Sequence, residues 1–163
     1  MKLYKLTDEN GQSRGGMQWG PGIANTAKDG EPVLCTNTVL HAYTDPLLAV
    51  MLAPIHVEWK NPRMWEAEGD VVVREHDLKV GCKTLTTIGE MPFPTVTTAQ
   101  RVKFAILCAL EVYDDPAFSA WAKSWASGED RSAMAAVAAR ASASAWAADK
   151  SLDLAALAKK ACL

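Results

Sequence analysis

The spacing of apolar residues changes character along this chain. From Leu3 to Leu6 apolar and polar positions alternate, the period of a half-buried strand, and Asp8-Glu9-Asn10-Gly11 follows as a turn signal. A return segment at Gln12 to Arg14 is expected to pair with that strand as an N-terminal hairpin. Gly15, Gly16, Gly20, Pro21 and Gly22 then make a loop around Met17 and Trp19, which either pins Trp19 onto the core or exposes it as a contact. Val33 to Cys35 and Val39 to Tyr43 are short apolar pieces. Asp45-Pro46 has the form of a helix N-cap with proline at the first helical position, opening a short buried helix of Leu47, Leu48, Val50 and Met51 that stops near Pro54. Ile55 to Trp59 and Met64 to Glu68 alternate, Val71-Val72-Val73 reads as a strand core, and Val80 to Ile88 is β-branched and threonine-rich with Gly81 at a bulge position.

Gly89 to Pro94 breaks the pattern, because Met91-Pro92-Phe93-Pro94 continues neither a helix nor a central strand. Beyond it the period becomes helical. Thr97 and Gln100 have capping-box spacing, and Val102, Ala105, Ile106, Ala109 and Leu110 recur at helical intervals in a segment expected over roughly 98–113. Asp115-Pro116 repeats the cap-plus-proline signal before the stripe of Phe118, Trp121, Ala122 and Trp125, which Ser127-Gly128 ends. Asp130 is expected to cap a helix with Met134, Val137, Ala138, Ala141, Ala145 and Ala148 on one face, and Ser151 a last one with Leu154, Leu157, Ala158 and Ala161 inward. Lys159 and Lys160 then lie near a C-terminus, where the helix dipole favours cations. The fold class expected is α+β: a small, mostly antiparallel sheet with one short helix over residues 1–90, followed over 91–163 by an alanine-rich helical bundle packed on it.

Composition sharpens that division. Of the 48 residues from Pro116 to Leu163, 18 are alanine, a strong helix former that buries little area. Trp121, Trp125, Trp146 and Leu157 must therefore dock the tail, either within the chain or on a partner subunit. A length of 163 residues with 49% apolar and 22% charged side chains is an ordinary globular composition. The formal net charge of -2 gives no field for steering onto nucleic acid, and the basic residues are dispersed among acids. Nucleic acid is thus not an expected partner. No charge-poor apolar run reaches membrane-spanning length, and Met1-Lys2-Leu3-Tyr4 does not open as a secretory leader. Cys35, Cys82, Cys108 and Cys162 are widely spaced and are expected to be reduced thiols of a cytoplasmic protein.

Chemistry is sparsely signalled. His41, His56 and His76 match no metal-ligand spacing with the cysteines, so no metal and no cofactor is expected. Nucleophile elbows, phosphate-binding loops and dinucleotide glycine patterns are missing. Glu66 and Glu68 share a strand face without a specified partner. His41 lies in an apolar segment, and in a strand it shares a face with Tyr43, an arrangement that serves either a binding cleft, an acid–base pair or a buried hydrogen bond. Six tryptophans suit a core or a protein interface.

Leu3-Tyr4-Lys5, Ser13-Arg14-Gly15, Gln18-Trp19, Gly22, Cys35 and Leu40-His41-Ala42-Tyr43-Thr44-Asp45-Pro46-Leu47 together resemble a domain family of phages and prophages whose members look like YKGF…CRGFQY…G…C…GFHAC…PLD. Val39-Leu40 replaces the glycine and phenylalanine before the histidine, and Leu47-Leu48 stands where Leu-Asp is usual. The resemblance covers about the first 90 residues and implies a small phage-type α+β module in the host-cell cytoplasm; it carries no catalytic role. The function expected is that of a phage or prophage accessory protein acting by protein–protein interaction, its partner another protein or a second copy of the chain. The alternative is a nucleotide-binding enzyme, resembling ADP-ribosyltransferases, built on His41 and Tyr43. Arg14, Trp19, His41 and Tyr43 are the candidate ligand or interaction residues, and no catalytic residue is assigned.

Overall fold

The computed structural model describes residues 1–56, 59–75, 79–129 and 152–163, which form two compact units, Met1–Thr95 and Val96–Leu163. It is an α+β protein with an antiparallel sheet and a short helix in the first unit and helices in the second. The expected helix with Met134 to Ala148, its Asp130 cap, Ser151, Trp146 and His76 lie outside the described residues.

In the first unit, β1 (Lys2–Thr7) pairs along its length with β6 (Arg63–Glu75), and β6 pairs with β7 (Lys79–Met91) as a long hairpin. The expected N-terminal hairpin is therefore different: β2 (Gln12–Ser13) turns over Arg14 to Gly16 and pairs with β3 (Met17–Gln18), while β1 takes a strand far away in sequence. Asp8 makes that departure local, since its Oδ1 accepts from the N–H groups of Asn10 and Gln12 and closes the turn. Two short strands, β4 (Ala24–Thr26) and β5 (Leu40–Ala42), lie end to end along the other edge of β7.

Three further expectations are corrected. Met64 to Glu68 and Val71 to Val73 are one strand, carried past Gly69-Asp70 with a register shift between Gly69 and Val71, and β7 continues to Met91 past the glycine at 89. Register shifts absorb the mismatch. One lies between Val71 and Val73, which pair with Cys82 and Gly81, so the extra residue is Val72 on β6 and not Gly81 on β7. A second lies between Glu66 and Ala67, opposite Gly89 and Thr87, and makes Ile88 the extra residue on β7. Val72 and Ile88 are also the exposed large apolar residues of the hairpin, because a bulged residue leaves the pleat. Finally, helix α1 (Pro46–His56) runs through Pro54 rather than stopping there, so no strand begins at Ile55. Asp45 caps it as expected, its Oδ1 accepting from the N–H groups of Leu47 and Leu48 at 2.9 and 3.0 Å.

The bulged hairpin bends far enough for the sheet to return on itself. Tyr43, just past β5, exchanges both backbone hydrogen bonds with Tyr4 of β1 at 2.9 Å, so β1, β6, β7 and β5 form a ring closed by a single bridge. Leu3, Trp19, Leu40, Ala42, Val80, Cys82 and Leu85 belong to one core cluster within this unit.

In the second unit the helix boundaries follow their capping chemistry. Helix α2 (Thr98–Leu110) opens on a complete Thr97–Gln100 capping box and ends three residues before Tyr113. Helix α3 (Pro116–Ser127) opens on Asp115, whose Oδ1 accepts from Phe118 N–H, and ends on Gly128 in the left-handed conformation. Helix α4 (Leu154–Cys162) is capped by Asp153, with Leu154, Leu157, Ala158 and Ala161 buried. Ile106, Ala109, Phe118, Ala122 and Trp125 share a core cluster.

Candidate functional site

His41 is the candidate residue around which the structure gathers others. As the central residue of β5 it pairs with Gly81, with Leu40 and Ala42 buried on either side. Its backbone carbonyl accepts from the Nζ of Lys5 at 2.8 Å, and its imidazole Nε2 accepts from the backbone N–H of Cys35 at 2.9 Å. With Nε2 occupied as an acceptor, a neutral ring must carry its proton on Nδ1.

Lys5 is the buried ammonium of the first unit. It follows Leu3 by two positions in β1, so the strand period turns it to the same face. Its Nζ lies 4.8 Å from the centroid of the Trp19 ring, a cation–π contact, and burial lowers its pKa to about 8. Trp19 itself is only 1% exposed, and its Nε1 donates to Ser13 Oγ at 2.9 Å. The glycine-rich loop thus pins Trp19 onto the core, and Lys5 links its ring to the His41 carbonyl. The Cys82 thiol is pushed up to about 11, chiefly by burial and partly offset by the Lys5 charge.

Tyr43 shares little of the solvent that reaches His41. It is 8% exposed, and burial pushes its phenol up to about 12, while His41 is half-buried. Arg14 lies exposed in the turn between β2 and β3.

On the solvent side, His41 holds the 28–38 loop. Cys35 in this loop is exposed and has φ +65, the positive-φ non-glycine residue among those described. A side chain in that left-handed region costs about 1–2 kcal/mol, so the surrounding contacts must fix it. They are the Cys35 N–H on His41, Val33 N–H on Thr38 Oγ1, and Thr36 Oγ1 on the Val33 carbonyl. The Nζ of Lys79, the first residue of β7, donates to Cys35 Sγ at 3.0 Å. An exposed sulfur in contact with an amine nitrogen, on a loop clamped by an imidazole, can undergo nucleophilic and redox chemistry.

Lys5, Cys35 and Lys79 were not among the candidate residues of the sequence. Lys5 left a trace as the charged residue at an inward position of an alternating strand, and Cys35 only as a match to the resembled pattern. Lys79 left none. Among the described residues no group of three or more His, Cys, Asp or Glu side chains could hold a metal ion, and no helix is long and apolar enough to cross a membrane.

The class of protein defined by this geometry is a small α+β module whose bulged antiparallel sheet closes on itself and presents a clamped loop. The chain belongs to the family described as domain of unknown function DUF7666, whose pattern matches residues 1–99. No curated protein and no solved structure matches it.

Proposed function

We propose that this chain is a phage or prophage accessory protein of the host-cell cytoplasm that works by binding another protein, with the 28–38 loop as its contact surface. The observation that carries this reading is the combination of exposure and order in that loop. Nearly every residue from Lys28 to Asn37 is exposed, including Val33 at 50%, yet side-chain hydrogen bonds hold the backbone. Further bonds run from Lys28 N–H to the Asn37 carbonyl and from Lys83 Nζ to the Lys28 carbonyl. A surface loop ordered before binding loses less conformational entropy on docking than a mobile one. The phage setting rests on the sequence resemblance alone. A nucleotide enzyme at His41 and Tyr43 has less support from the geometry, since the phenol is buried and imidazole Nε2 already accepts a hydrogen bond.

The test is affinity capture from cells carrying the parent prophage, followed by calorimetry with the purified captured protein. Wild type is expected to bind saturably, and Val33→Asp, at an exposed tip position, to bind at least about tenfold more weakly. Equal affinity of the two, or capture of nothing saturable, overturns the reading. Saturable quenching of tryptophan fluorescence by a nucleotide, abolished in His41→Ala, would favour the nucleotide-binding alternative instead.

A further inference from the structure

We propose that Cys35 and Lys79 form a peroxide-responsive modification site, in which the oxidised thiol is captured by the lysine amine as a covalent Sγ–Nζ link. The four cysteines differ in what reaches them, and Cys162 is half-buried. Cys82 and Cys108 are buried, and burial pushes their thiols up to about 11 and about 12, which keeps both protonated and slow to oxidise. Cys35 is exposed, so a small oxidant has access to its sulfur. It is also already in contact with its trap, because Lys79 Nζ lies 3.0 Å from Sγ without any movement of the loop. The contact spans distant segments and is held from both sides. The His41 imidazole fixes the Cys35 backbone, and pairing of β7 with β5 fixes the strand from which Lys79 projects.

The chemistry balances with hydrogen peroxide as the oxidant. The Cys35 thiol attacks the peroxide O–O bond, giving a sulfenic acid and one water, with the sulfur oxidised and the peroxide reduced by the same electron pair. Lys79 releases its ammonium proton to solvent. The deprotonated amine then attacks the sulfenic sulfur, the S–O bond breaks, and the oxygen leaves as water with a proton from the nitrogen. The product is a sulfenamide joining the 28–38 loop to the start of β7, with the protein lighter by two hydrogens. Dithiothreitol reverses it: one thiol attacks the sulfur and returns the amine, leaving a mixed disulfide, and its second thiol then releases the Cys35 thiol as dithiothreitol closes to its cyclic disulfide. Formation of the link needs no binding partner, so its test stands apart from the proposed function.

The experiment treats the full reduced chain with hydrogen peroxide, then reads intact mass and maps peptides. The expected result is a species lighter by two hydrogens, a crosslinked peptide containing Cys35 and Lys79, and recovery of the starting mass with dithiothreitol. Lys79→Arg and Lys79→Gln remove the nucleophilic amine and are expected to raise dimedone labelling of Cys35 by about tenfold, because the sulfenic acid persists. Using both variants separates loss of the amine from loss of charge. A disulfide between Cys35 and another cysteine, stable oxygen addition at Cys35 in wild type, or the same dimedone labelling in wild type and both variants would overturn the proposal.

Discussion

Lys5 occupies an inward position of β1 that an apolar pattern would give to valine or leucine, and the chain retains an ammonium there. Its cation–π contact with Trp19 and its bond to the His41 carbonyl repay part of the burial cost. The remainder appears as a folded-state pKa of about 8 against 10.5 for the free side chain. Between these values the unfolded chain binds the proton and the folded chain does not, so this residue makes stability rise with pH across that window. Below the folded value the full penalty persists. Cys82, Cys108 and Tyr43 act in the opposite sense, since burial holds their protons and the unfolded chain starts to release them near 9.0 and 10.0. Total stability therefore hides the lysine, and the informative quantity is the difference between wild type and Lys5→Met. Urea unfolding should show the advantage of Lys5→Met over wild type shrinking by about 2 kcal/mol between about pH 7 and pH 10. A difference that stays constant across this range would mean that folded Lys5 keeps its proton as firmly as the free side chain does and is well solvated.

At the scale of elements, what could be read from the chain was what neighbouring residues decide. Asp45-Pro46, the Thr97–Gln100 box and Asp115-Pro116 each start a helix where their local chemistry says, because a cap acts on N–H groups two or three residues away. The long hairpin was not legible. Gly69-Asp70 and Gly89 look like breaks, yet bulges carry both strands through them, and nothing local tells β1 to pair with β6 rather than β2. The site follows the same division. His41 stood out by its immediate surroundings, whereas Lys5 and Lys79 acquire their roles from partners 36 and 44 residues away. Gly81 shows how tightly the bulge is built. A Cβ there would meet Val73 Cγ1 at 2.7 Å and Val39 Cβ at 2.9 Å, opposite the extra residue Val72 and beside His41. Gly81→Ala should therefore lower stability by about 1–3 kcal/mol through overpacking. Gly89→Ala in the same strand, where an added Cβ meets nothing within 4 Å, should change it by less than about 0.5 kcal/mol. Equal effects from the two substitutions would show that β7 tolerates side chains at both bulges.

For the whole molecule, two independent boundaries nearly coincide: the family match ends at residue 99 and the first compact unit at Thr95. The unit meets the requirements of an autonomous domain from its own residues. Its main core cluster runs from Leu3 to Leu85, its sheet ring is closed by Tyr4 and Tyr43, and its buried indoles find partners within it, Trp19 on Ser13 and Trp65 on Thr7. A chain of this size buries enough surface to fold without disulfides or metal. The alanine-rich second unit is in a different position, because alanine faces bury little area and its described core depends on Phe118 and Trp125. A fragment ending at Thr95 should consequently unfold in one cooperative urea transition and keep the near-ultraviolet circular dichroism of Trp19 and Trp65 in fixed surroundings. If that fragment instead shows secondary structure without a near-ultraviolet signal and binds a hydrophobic dye, its side chains need residues 96–163 to pack. The family domain would then be a recognisable sequence unit but not a folding unit.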